Sequence, residues 1–246
     1  MAKDNYHDKG YKLLLSKRRN FIKFLRNFVK GEWVNLVDED SLHLCDKGFI
    51  DPFFKELESD LIYSAKLAGR DVYLYIITEL QSSGDFTMPF RMFKYIAAIL
   101  MRVFDNTPKK GRERKDFRLP LVIPIVFYNS EDKWYATRNF KDYLQDSDML
   151  DGVIDFQYTL VDINLLDRDF LLKNHDAISA AIAVDKGRDR ECFKNTIVEI
   201  ANSKDEFNAD ELNDFMEWLK HSIERHTGSV DEAETIVELI EKGMKL

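Results

Sequence analysis

Cysteine is almost absent from this chain of 246 residues: only Cys45 and Cys192 occur. Two lone thiols give neither a disulfide framework nor a zinc-ligand spacing, and they fit a reducing compartment such as the cytoplasm. No apolar run approaches about 20 residues, so no membrane-spanning helix is expected. The opening MAKDNYHDKG has none of the apolar stretch of a secretory signal. The chain also shows no internal repeat and no low-complexity segment. His221 and His226 are five apart, about 140° around a helix, so they do not form a shared metal site.

Positive charge is in short supply too. There are 36 Lys+Arg against 44 Asp+Glu, a net charge of −8. The deficit is local. Residues 167–246 hold 11 basic and 19 acidic residues, which leaves 25 of each in residues 1–166. Within that neutral part, residues 1–30 carry nine Lys/Arg against two Asp, and PKKGRERKDFR at 108–118 carries six against two. Local basic surface matters more for phosphate contact than total charge. Hydrophobic residues make up 45% and aromatics 13%, enough for a sizeable buried core. The length suits one large domain, or a domain plus an appendage.

Apolar spacing predicts a helix from about Tyr11 to Val29. Residues 31–58 give no clear pattern. Strands are expected at about Leu61–Leu67 and Val72–Leu80, the second apolar on both faces as in a strand covered on both sides. Ser82 to Asp85 breaks it. A helix follows at about Met88–Phe104, with Thr87 as N-cap and Pro89 in the first turn. The basic loop 108–118 leads to a strand at 119–128, which Pro120 and Pro124 make irregular or partly an edge. A last strand is expected at 156–163. Helices at about 168–184, 189–201, 210–226 and 231–244 complete the chain. The order predicts an α/β fold: a mixed β-sheet flanked by helices, with a helical C-terminal extension. The expected division is 1–167 and 168–246.

Two carboxylates stand symmetrically about the turn. With Gly69-Arg70 at the centre of a type II′ hairpin, residue 60 pairs with 79. Asp60 and Glu79 then face each other on one side of the sheet, with Gln81 on the same side. Opposed like charges cost about 0.2–1 kcal/mol. A divalent cation between them removes that cost, and Mg²⁺ is held by one or two carboxylates plus substrate phosphates. Each carboxylate is equally readable as a solvated strand end. Gln81 can hold a water, since an amide donates and accepts, but it brings no positive charge. Asp8, near the start of the first helix, has the chemistry of a metal ligand and of a helix cap. Arg91, Lys94, Tyr95 and Arg102 fall at helical spacing on one side, a stripe that suits phosphates or solvent. Lys109, Lys110 and Arg112, with Arg114 and Lys115, suit electrostatic steering of DNA or simple solvation, and Glu113 and Asp116 dilute them.

Several blocks, in order, resemble the PD-(D/E)XK nuclease superfamily, and within it the recombination-promoting nucleases, a family also labelled transposases. They are HDKGYKLLLS at 7–16, SDLIYSAKL at 59–67, YLYIITELQSS at 73–83, MPFRMFKYIAAIL at 88–100, LPLVIPIVFYN at 119–129 and FQYTLVDI at 156–163. They span roughly the first two thirds of the chain. The resemblance implies a restriction-endonuclease-like fold and a Mg²⁺- or Mn²⁺-dependent endonuclease that cuts DNA, promotes recombination or is associated with mobile elements. It implies Asp60, Glu79 and Asp8 as metal ligands and Asp60, Glu79 and Gln81 as the catalytic set. Arg91, Lys94, Lys109, Lys110 and Arg112 become the DNA contacts. The chain departs from the superfamily where Gln81 replaces the usual Lys and Ser59 the usual Pro. The alternative is a catalytically inactive DNA-binding or interaction protein on the same scaffold. The helical tail from about Arg168 is expected to contribute no catalytic group and to tune DNA access by its negative charge or to form a homodimer interface. A transposase in the strict sense needs a third carboxylate on a different sheet, and no such acid is found.

Overall fold

The structure, a computed structural model, describes residues 4–46, 61–79, 85–130, 132–187 and 189–227. In chain order its elements are α1 (Asp4–Ser16), α2 (Arg18–Phe28), β1 (Val37–Leu44), β2 (Leu61–Leu67), β3 (Arg70–Glu79), α3 (Met88–Asn106) and α4 (Lys109–Arg112). Then come β4 (Leu121–Tyr128), β5 (Thr159–Asp162), α5 (Arg168–Lys173), α6 (Ala177–Lys186), α7 (Arg190–Asn202) and α8 (Ala209–Thr227). The α/β class and the mixed sheet are as expected. The chain divides into two compact units, Val29–Val161 and a second made of Met1–Phe28 with Asp162–Leu246. The helical part is therefore not a C-terminal extension alone, because the first two helices belong to it. The helix expected at 231–244 lies outside the described residues.

The first unit carries one five-stranded sheet in the order β1-β2-β3-β4-β5. β1 is antiparallel to β2 and β2 to β3, whereas β3 and β4 are parallel. β3 reads VYLYII along its middle, and Leu74, Tyr75, Ile76 and Ile77 are all buried, so both faces are covered as expected. On one face α3 packs through Met88, Met92, Tyr95, Ala98 and Ile99 against Ile62, Tyr75, Ile77 and Val126. The rings of Tyr75 and Tyr95 lie 4.9 Å apart. β1 was not anticipated. Its sequence VDEDSLHL is acidic and mostly exposed, as suits an edge strand that must not pair with another chain. β4 lies inside the sheet rather than at its edge, with Pro124 opposite Tyr75. β5 is only four residues long, which leaves room beside β4 for a residue with no N–H.

The hairpin differs from expectation by one residue at its turn. Leu67 pairs with Arg70 and Leu61 with Ile76, so Ala68-Gly69 form the turn. Ala68 has φ 49° and Gly69 φ 80°, the two positive values of a type I′ turn, whose twist matches that of the strands. Gly takes the second central place rather than the first. Each β3 residue therefore faces a β2 position two earlier than expected, and the alternation of faces is unchanged. Ala68 is exposed and sits in the left-handed region, which costs a non-glycine residue about 1–2 kcal/mol. Ala68→Asn, which gives the Asn-Gly pair favoured in such turns, is expected to stabilise this unit by about 0.5–1 kcal/mol in urea titrations. An unchanged or lower midpoint would contradict the turn geometry.

In the helical unit α6 is central, touching α1, α2, α5, α7 and α8. All of Ala177–Val184 is buried, and small residues permit that close approach. A Cβ on Gly10 of α1 would meet Trp218 of α8 at 3.0 Å, so these two helices meet where the sequence has no side chain. The expected helix at 168–184 is broken at Asn174–Asp176. Asp176 caps α6 by accepting from the Ser179 N–H, as Asp167 and Asp189 cap α5 and α7. Part of the acidic excess is therefore helix capping. The single helix expected over 11–29 is likewise two helices, α1 and α2, with a break at Lys17.

Candidate active site at the carboxyl end of the parallel strands

In an open α/β sheet the chemistry sits outside the carboxyl ends of parallel strands, where loops converge on a crossover helix. Here that place is the end of β3 and β4. Glu79 is the last residue of β3 and pairs with Tyr128, the last of β4. It occupies the same row of alternate positions as Tyr75 and Ile77. Asn129, buried, follows β4 directly. Asp60 and Gln81 lie outside the described residues. Among the described residues no group of three His, Cys, Asp or Glu side chains is placed to hold a metal ion.

At the start of α3 stands a carboxylate that sequence reading treated only as a strand breaker. Asp85 accepts from the Thr87 N–H at 2.8 Å and from the Thr87 hydroxyl at 2.6 Å. Its other oxygen takes the Arg91 guanidinium at 2.7 Å. Burial pushes its carboxyl up, but the bonds from Thr87 and Arg91 outweigh this and hold it below the usual carboxylate range. Asp85 thus stays ionised and fixes Arg91 at the head of the helix. Thr87 keeps the N-cap position but makes no side-chain cap bond, because its hydroxyl is turned to Asp85. The signal was present as Asp-x-Thr, the spacing of an Asx turn.

The stripe on α3 is not one phosphate-facing row. Tyr95 is buried against Tyr75 and belongs to the core. Arg91 and Lys94 sit half-buried at the margin near the Glu79 end, and Arg102 is exposed at the other end of the helix. The residues Lys109, Lys110 and Arg112 form the short helix α4 rather than a loop. They do not neighbour Glu79. The chain returns along α3 and enters β4 at Leu121 opposite Val72, so α4 attaches at the hairpin-turn end. Seven residue steps along β3 separate Val72 from Glu79, about 23 Å. Asp8 lies in α1, four residues past its first residue.

Residues 5–212 match the profile of the family described as "Putative transposase, YhgA-like". The chain is 30% identical over 169 residues to the recombination-promoting nuclease RpnC of Escherichia coli (strain K12), covering 68% of this chain and 54% of that protein. It is 28% identical over 169 residues to the recombination-promoting nuclease RpnD of Escherichia coli O157:H7, covering 68% and 62%. It is also 28% identical over 169 residues to the inactive recombination-promoting nuclease-like protein RpnE of Escherichia coli (strain K12), covering 68% and 54%. The chain thus spans between half and two thirds of the length of these relatives. No solved structure matches it significantly. Among the described residues no helix is long and apolar enough to cross a membrane.

Proposed function

The chain belongs to the YhgA-like putative transposase family, and from that premise we propose that it is a divalent-metal-dependent DNA endonuclease that promotes recombination. The observation that carries this reading is the position of Glu79. It closes the first of two parallel strands joined by a crossover helix, within a chain similar over 68% of its length to named nucleases. Asp60 and Glu79 supply the carboxylates, the donor type Mg²⁺ prefers. When bound, the metal polarises the scissile phosphate and acidifies a water at neutral pH. Gln81 would orient such a water, since an amide both donates and accepts, but would add no charge. Arg91, braced by Asp85, and Lys94 stand on the margin of α3 nearest this end and contact the phosphates on either side of the cut.

The test is supercoiled plasmid incubated with the purified full chain, with Mg²⁺, with Mn²⁺ and with chelator. Cleavage that needs the metal supports the reading. Binding of the plasmid without cleavage under any metal supports a second reading, a non-catalytic DNA-binding protein. Two observations favour that alternative: a relative described as inactive is as similar as an active one, and Gln81 stands where the superfamily usually has Lys.

A further inference from the structure

The hairpin-turn end of the sheet carries cations that the site at Glu79 does not use. Of the six basic residues between Pro108 and Leu119, three are engaged with carboxylates. Lys109 lies 3.7 Å from Glu113, Arg112 lies 3.9 Å from Asp105, and Arg114 grips Asp116 through two contacts of 2.9 and 2.6 Å. Lys110 and Lys115 have no carboxylate partner among the described residues, and Arg118 donates only to the carbonyls of Lys115 and Phe117. All three are exposed. Their base is rigid. The Arg112 guanidinium lies 4.8 Å from the centre of the Phe104 ring, and Phe117 meets the same ring edge-on at 6.3 Å. Arg70, also exposed, opens β3 at the same end of the sheet. The acids of β1 at Asp38, Glu39 and Asp40 lie two strands away.

We propose that this end is a second DNA anchor, gripping the phosphate backbone about 23 Å from Glu79, the span of seven residue steps along β3. The inference rests on reading the chain as a DNA-acting protein. A duplex rises about 3.4 Å per base pair, so about seven base pairs laid along β3 cover that span. Exposed cations left without carboxylate partners among the described residues, beside an Arg112 seated on the Phe104 ring, suit a polyanion that releases counterions when it binds. The carboxylates nearest these cations, Glu113, Asp105 and Asp116, are engaged with Lys109, Arg112 and Arg114, so this end offers contact to a backbone rather than chemistry at a phosphate. Substrates therefore need length on one side of the cut, and the anchor sets affinity rather than rate.

The double variant Lys110→Glu/Lys115→Glu in the full chain tests this, and both side chains are exposed, so a matching thermal melt controls for folding. Binding is read by fluorescence anisotropy in chelator, on duplexes of about 6 and about 20 base pairs at several salt concentrations. Wild type should gain affinity sharply once the duplex exceeds about 7 base pairs, and the variant should lose that step. For the long duplex the variant should bind at least about tenfold more weakly, with a log–log salt slope smaller by about 2. In Mg²⁺ its KM should rise with kcat unchanged. Equal affinity and equal slope for variant and wild type, or a loss of kcat, overturns the anchor. If the wild type never cleaves, the nuclease reading fails and the anisotropy data still decide the anchor.

Discussion

Glu79→Gln is expected to lose about a thousandfold or more of metal-dependent plasmid cleavage and to keep its fold. A metal acting on a phosphoryl oxygen supplies several kcal/mol of charge stabilisation, and each 1.4 kcal/mol is a factor of ten in rate. The substitution keeps the shape of the side chain and removes the charge that would hold an ion there. The fold does not depend on that charge. β3 is paired with β4 at eight register positions from Val72/Leu121 to Glu79/Tyr128, through backbone that the substitution leaves alone. Asp60→Asn should behave alike. The readout is the nicking rate at saturating Mg²⁺, beside a thermal melt in chelator. A variant that cuts at the wild-type rate removes Glu79 from the chemistry; one that melts early says nothing about it, and Asp60→Asn then decides.

The elements that were legible in the sequence are those whose pattern is set locally. VYLYIITEL is apolar on both faces and could only be a covered strand, and α7 and α8 follow their spacing and caps. β1 was not legible because an edge strand is selected for charge, and Val37–Leu44 contains three acids. The turn was misplaced because nothing in Ala68 announces a left-handed conformation; the twist of the strands imposes it. For the site, the row of Glu79 was legible from period-two alternation, and the register between strands was not. The position of Lys109, Lys110 and Arg112 was legible in principle. A helix that joins two parallel strands returns the chain to the end where the first strand began, so a basic segment between α3 and β4 belongs at the far end from Glu79. The break between α1 and α2 was not, and the carboxylate that gathers the side chains around it is 197 residues away.

That carboxylate is Asp214, and its removal carries the largest expected loss of stability. Asp214 lies in α8 with its side chain 3% exposed. It accepts from Lys17 Nζ at 2.8 Å, from Arg19 Nε and Nη2 at 2.7 Å each, and from Asn20 Nδ2 at 3.0 Å. Asn20 also donates to the Leu14 carbonyl, which takes the Lys17 N–H at 3.2 Å in a tight turn at the end of α1. One buried carboxylate therefore gathers three side chains from the junction of α1 and α2. Asp214→Ala should destabilise the helical unit by about 3 kcal/mol, the lower part of the range for breaking a buried pair, because Lys17 and Arg19 can still reach water. Asp214→Asn should cost nearly as much, since all four partners are donors and an amide offers one acceptor oxygen. Glu217, which also meets Lys17 but is half exposed, should cost under about 1 kcal/mol when replaced by Ala.

The pH dependence separates charge from packing. Burial pushes Asp214 up, but the bonds from Arg19, Lys17 and Asn20 outweigh it and hold its carboxyl below the usual range. A lowered carboxyl contributes stability that is present above its unfolded value, about 3.9, and is lost as pH falls through the folded value. Burial raises Asp176 and Glu211 in the same unit, and Asp214 adds to the rise at Glu211. Raised carboxyls act in the opposite sense: their contribution is present at low pH and is lost as pH rises through their folded values. Wild type should therefore gain stability on mild acidification from neutral pH, then lose it below about pH 4. In Asp214→Asn the gain should remain but be smaller, because the charge that adds to the rise at Glu211 is gone, and the loss below pH 4 should shrink, so the two proteins converge in acid. Melting curves from pH 7 to pH 3 decide it: a gap between wild type and variant that stays constant across that range would mean that Asp214 acts by packing alone.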